Sequence, residues 1–166
     1  INAYVKNGGD FVTSYMSGMV NESDNVYLGG YPGPLKDVTG IWVEESDAVV
    51  PGHKTYVSLK DQNYEAGLVC DLIHPETAKV LAKYANEFYQ GTAAITENQY
   101  GQGKAWYVGT KLDHAGLTQL FNHIVLAADI ESLVAAGNQL EVTKRITKDG
   151  KELYFVLNMS NDEREL

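Results

Sequence analysis

GGYPGPLKDVTGIWVEE, residues 29–45, carries the chain from a run of turn formers directly into an acidic, β-prone segment, and that junction orders the reading of everything around it. Gly29, Gly30, Gly33 and Gly40 permit backbone angles closed to other residues, while Pro32 and Pro34 fix theirs. Tyr27, Tyr31 and Trp42 add broad contact area at small entropic cost. This is the composition of a shaped surface loop, of the kind that lines a pocket lip or an interface.

Outward from it, INAYVKNGG at residues 1–9 reads as the last turns of a helix and its glycine stop, so further strands are expected before Ile1 and the chain is expected to be part of a longer one. Asp10 to Tyr15 reads as a buried strand, and Met16 to Gly40 as one long irregular stretch, a length usually reserved for function or interfaces. Ile41 to Ser46, Thr55 to Leu59 and Gly67 to Ile73 read as strands. Pro75 suits a first helical position, and Val80, Leu81, Tyr84, Ala85 and Phe88 share a helical face before Gly91, which predicts a helix there. Ala93 to Gln99 and Lys104 to Thr110 read as two strands joined by Tyr100-Gly101-Gln102-Gly103. Asp113 can cap a helix whose Leu117, Leu120, Phe121, Ile124, Val125 and Ala128 recur at helical spacing. Beyond Gly137 the pattern alternates around Asp149-Gly150, which predicts a hairpin that cannot stand alone in water.

The 166 residues, 44% apolar, suffice for one proper core. A net charge of −9 disfavours nucleic acid and anionic membranes as partners. No run approaches the roughly 18 apolar residues of a membrane span. Cys70 is the only cysteine, so no internal disulfide or cysteine-rich metal site can form.

The residues offer little chemistry. Glu44 and Glu45 are adjacent in a strand and should face opposite ways, whereas a retaining glycosidase needs two carboxylates about 5 to 5.5 Å apart. Cys70 lacks the flanking glycines of a nucleophile elbow and reads as a structural thiol. Ser14 and Ser17 near Gly18 read as turn hydrogen bonding. Asp71 with His74, and Asp113 with His114, are incomplete as metal sites and read as helix caps. The Gly101–Gly103 motif sits in a hairpin, not in a dinucleotide fingerprint. No catalytic residue, cofactor or metal ligand is assigned.

Taken with YVKNGGDFVTSYMSGMVNESD upstream and LVCDLIHPETAKVLAKYANEFYQGTAAITENQYGQGKAWYVGT downstream, the chain resembles the middle domain of glycoside hydrolase family 42 β-galactosidases. The resemblance implies an α/β fold of the class I glutamine amidotransferase-like type: flavodoxin-like, a mostly parallel sheet flanked by helices, here N-terminally truncated. It implies a trimerisation domain over residues 1–136 and the opening hairpin of a small C-terminal β-domain over 137–166. The catalytic glutamates and most of the β-galactoside contacts would lie on a barrel outside this chain, the enzyme being a cytoplasmic homotrimer. Tyr27, Tyr31, Pro32, Pro34 and Trp42 are then the candidate interface residues, taken as a group. Two other readings stay open. Cys70 could serve an independent amidotransferase-like enzyme, or Tyr27, Tyr31, Trp42 and Trp106 could stack on sugar rings as a carbohydrate-binding module.

Overall fold

Residues 1–134 and 139–165 are described in the computed structural model, and they fall into two compact units, 1–122 and 123–166. The first unit opens with α1 (Asn2–Lys6), which stops at Gly8, and continues into β1 (Asp10–Ser14). A long irregular passage then holds only a 3-10 turn (Gly33–Leu35) and the single-turn helix α2 (Lys36–Thr39). There follow β2 (Ile41–Ala48), β3 (Thr55–Leu59), β4 (Gln62–Pro75), β5 (Lys79–Tyr84), β6 (Ala93–Tyr100), β7 (Gly103–Val108) and β8 (Thr110–Leu112). Helix α3 (His114–Ala127) comes next, then β9 (Leu140–Ile146) and β10 (Glu152–Asn158).

The main sheet is mixed, in the order β1-β7-β6-β5-β3-β4-β2, with β8 also on β4. Only β1 and β7 run parallel, while every other ladder among the described residues is antiparallel. The expected mostly parallel sheet is thereby corrected. The cause is loop length: Leu59 pairs Gln62 and Tyr100 pairs Gly103 across two-residue turns, which can only join antiparallel strands. β1 is a half-exposed edge strand rather than a buried one, because it has β7 on one side only.

β4 organises this unit. Its first half pairs β3, its second half pairs β2, and its ladder with β8 shifts register between Gly67 and Cys70, where Leu68 has a φ of 66°. Such an irregularity bends a strand and increases its twist. The bend brings Ile73 opposite Ala93 of β6, so that β4, β3, β5 and β6 form a closed ring. Trp106, Tyr107, Tyr84, Ile95 and Val57 are fully buried in this unit, each such large side chain contributing about 1.5–3 kcal/mol.

The helix expected from Pro75 to Phe88 is absent. Pro75 instead ends β4 opposite Ile41, and the next residues form β5 between β3 and β6. The ladder with β6 slips between Val80 and Ala82, so Leu81 is an extra residue that breaks the alternation. Ala82 and Tyr84 point inward, while Phe88 is 77% exposed. Two ladders of backbone hydrogen bonds outweigh the modest helical preference of the segment.

In the second unit, β9 and β10 pair from Leu140↔Asn158 to Ile146↔Glu152. The turn is closed by Thr147, whose Oγ1 accepts the Lys151 N–H at 3.0 Å, with Gly150 at a φ of 83°. Leu153 to Leu157 are each about half exposed, so apolar side chains stand on both faces of the hairpin. The expected domain boundary at 136/137 lies outside the described residues.

Candidate subunit interface

Between β1 and β2 the loop builds its own small scaffold. Val20 bridges Val26, the Asn21 N–H donates to the Asn25 carbonyl at 2.9 Å, and the Asn21 Oδ1 accepts the N–H groups of Ser23 and Asn25. The Tyr27 N–H donates to the Met19 carbonyl at 3.0 Å. These bonds hold outward a run of apolar side chains, Met16, Val20, Val26 and Leu28, the last 98% exposed.

The far end of the loop is pressed into the sheet. Gly30, at a φ of 85°, lies so close to β2 that a Cβ there would stand 2.7 Å from the Val43 carbonyl oxygen. Gly33 is overlaid by the Tyr27 ring, and a Cβ would meet it at 2.3 Å. The Tyr31–Pro32 peptide is cis. The Tyr31 carbonyl accepts the Val43 N–H at 2.6 Å, and its ring packs with Ile41, Val43, Ile73, Ala93 and Tyr107.

The five residues grouped by sequence therefore separate. Tyr31 and Pro32 are buried in their own chain and offer a partner almost no surface. Pro34 is exposed, and Tyr27 and Trp42 are partly so. The apolar residues that do stand out, Met16, Val20, Val26 and Leu28, lie inside the Met16 to Gly40 stretch read as functional or interfacial but were not singled out there, although the mixing of Met and Val with Gly, Asn and Ser was a readable signal.

Inside, Asp71 on β4 is fully buried and meets three hydroxyl donors from distant parts of the chain. Tyr31 Oη and Ser46 Oγ donate to its Oδ1 at 2.8 and 2.6 Å, and also lie against each other. Tyr107 Oη donates to its Oδ2 at 2.7 Å. The Tyr84 hydroxyl points at the backbone carbonyls of Asp71 and Gly109. Burial pushes the Asp71 carboxyl above the ordinary aspartate range, against the pull of the hydroxyls of Ser46, Tyr107 and Tyr31. Burial likewise pushes up the phenols of Tyr31, Tyr84 and Tyr107. Asp71 is thus a strand residue and a hub, not the helix cap expected of it. His74 is no cap either: it stacks on Trp42 at 4.1 Å between ring centroids and 9° between planes, with Nε2 2.7 Å from Glu44 Oε2. Asp113 does cap α3, its Oδ1 accepting the Gly116 N–H at 2.7 Å.

The alternatives lose their surfaces. Cys70 is wholly buried, burial pushes its thiol up, and it lies among the hydroxyls of Thr110, Tyr89 and Tyr84. A reactive cysteine needs the opposite, a reachable thiolate. Of the four aromatics considered for sugar stacking, Trp106 and Tyr31 are buried, Trp42 is covered by His74, and Tyr27 lies over Gly33. Among the described residues no three metal-ligating side chains come together, and no helix is long and apolar enough to cross a membrane.

A family model described as the β-galactosidase trimerisation domain matches residues 1–131, and one for the β-galactosidase C-terminal domain matches 139–166. The chain belongs to the glycoside hydrolase family 42 β-galactosidases, of which it carries these parts. It is 70% identical over all 166 residues to the β-galactosidase LacA of Lactobacillus acidophilus, and 38% identical to the β-galactosidase Pbg of Clostridium perfringens. In each case it spans 25% of the relative's length. The crystal structure of the β-galactosidase from Bacillus circulans sp. alkalophilus superimposes with a TM-score of 0.87 at 40% identity, covering 95% of this chain and 24% of that one.

Proposed function

We propose that this chain is the assembly module of a retaining β-galactosidase, which hydrolyses terminal non-reducing β-D-galactose residues. It holds three copies of the enzyme together and supplies none of the catalytic acids. The observation that carries this reading is the internally hydrogen-bonded loop with Met16, Val20, Val26 and Leu28 held out to solvent, in a segment matched by a trimerisation domain. A leucine left in water forgoes about 1.5–3 kcal/mol that a neighbouring copy would recover by covering it.

The same reading makes Tyr27, Pro34 and Trp42 the flanks of the contact, with Tyr31 and Pro32 shaping it from inside. It places the module boundary at 136/137, takes the parallel β1–β7 pair as the remnant of an amidotransferase-like sheet, and makes the enzyme cytoplasmic. Substrate would be bound mainly by the catalytic barrel.

Sedimentation velocity of the 166-residue chain beside Leu28→Lys tests it. The parent chain should self-associate with rising concentration and the variant should stay monomeric at equal helix and strand content. Identical sedimentation of the two would contradict the assignment of this loop.

A further inference from the structure

We propose that Asp71 is a positioning residue: a buried clasp that keeps the assembly loop in its shape by gathering hydroxyls from the loop, β2 and β7. This deepens the reading of the loop as the assembly face and rests on it for its consequence, though not for its test. At Tyr31 the loop's inner end is bound to the sheet by the Val43 N–H on the Tyr31 carbonyl, by the Tyr31 ring in the core, and by the Tyr31 hydroxyl, which meets Asp71 and Ser46. The first two are common to any buried loop residue. The third is particular, because a buried carboxyl with no cation beside it is costly unless every donor stays in place.

The partners come from three elements far apart in sequence: residues 31, 46 and 107 converge on residue 71. Removing one leaves the other donors crowded round an under-solvated acid. The loop, whose remaining bonds are mostly internal to it, is the element with most freedom to move away. β7, which supplies Tyr107, is held by ladders to β1 and β6 on its two sides.

Hydrogen exchange of the full chain, followed residue by residue in Tyr31→Phe and Asp71→Asn, tests the clasp. Tyr31→Phe preserves the ring and removes one hydroxyl, so it should fold even if the Asp71 variant does not. Exchange at the Val43 and Leu35 amides should accelerate about tenfold or more, the loss expected when a buried polar group is left short of a hydrogen-bond partner. The amides of Ala105 and Trp106 in the β6–β7 ladder should keep their protection. Equal acceleration everywhere, or none at Val43 and Leu35, would overturn the proposal. Loosening confined to the loop while self-association persists would uphold the clasp and count instead against the loop as the assembly face.

Discussion

Asp71 shows what a single side chain contributes and how it should respond to pH. Its folded-state pKa is raised, chiefly by burial, so the folded protein holds this proton more tightly than the unfolded chain does. The stability that follows is fully present below the ordinary aspartate value and is lost as pH rises through the folded value. The groups facing it are the hydroxyls of Tyr31, Ser46, Tyr107 and Tyr84, all neutral over this interval. Urea midpoints measured across that interval should therefore fall with rising pH more steeply in the parent chain than in Asp71→Asn, where this component is missing. Parallel profiles would remove Asp71 as the source. None of this could be read from the sequence, because a hub built from residues 31, 46, 71 and 107 exists only once the sheet has closed. Nor did Tyr31 announce its direction. A tyrosine between glycine and proline reads alike whether it faces a partner or its own core.

At the level of elements, legibility followed the regularity of the pattern. β2, β3, β6 and β7 combine β-prone composition with glycine or proline on at least one flank and were readable within about two residues, as were α1 and the β9–β10 hairpin. β5 was not. The extra residue at Leu81 destroys the period of two and leaves apolar residues at a spacing that imitates a helix. The first half of β4 was hidden for another reason, since its turn is made by Lys60 and Asp61 at φ of 50° and 61° without glycine. α3 was legible from its cap, and the cap does more than end a helix. Asp113 also ties it to β4: its Oδ2 accepts the Glu65 N–H at 3.1 Å, and its own N–H donates to the Glu65 carbonyl at 2.8 Å. Asp113→Ala should cost about 0.5–2 kcal/mol in chemical denaturation, the usual loss for an N-cap. A change within about 0.5 kcal/mol, the range of an ordinary surface substitution, would mean the cap is idle.

For the whole molecule, the balance of features points to contact and away from chemistry. The carboxylates are dispersed or buried, the one thiol is enclosed, and the aromatics that could have met a sugar are packed against their own chain. What faces solvent is a braced apolar loop in the first unit and a two-faced apolar hairpin in the second. Both are surfaces whose burial would be favourable. The purified chain should accordingly show no turnover of a chromogenic galactoside, and measurable turnover would contradict the silent role assigned to it. The family was legible because several separated segments carried it, whereas the direction of the sheet strands was not, since it was inferred from resemblance and depends on turn lengths that local pattern underdetermines.

The claim that this chain assembles copies of itself is tested most directly by its particle mass in solution, measured by sedimentation equilibrium over a wide concentration range. The account predicts a reversible association from 18.3 kDa monomer to a threefold multiple of it. A chain that stays at monomer mass at every concentration while correctly folded would contradict it.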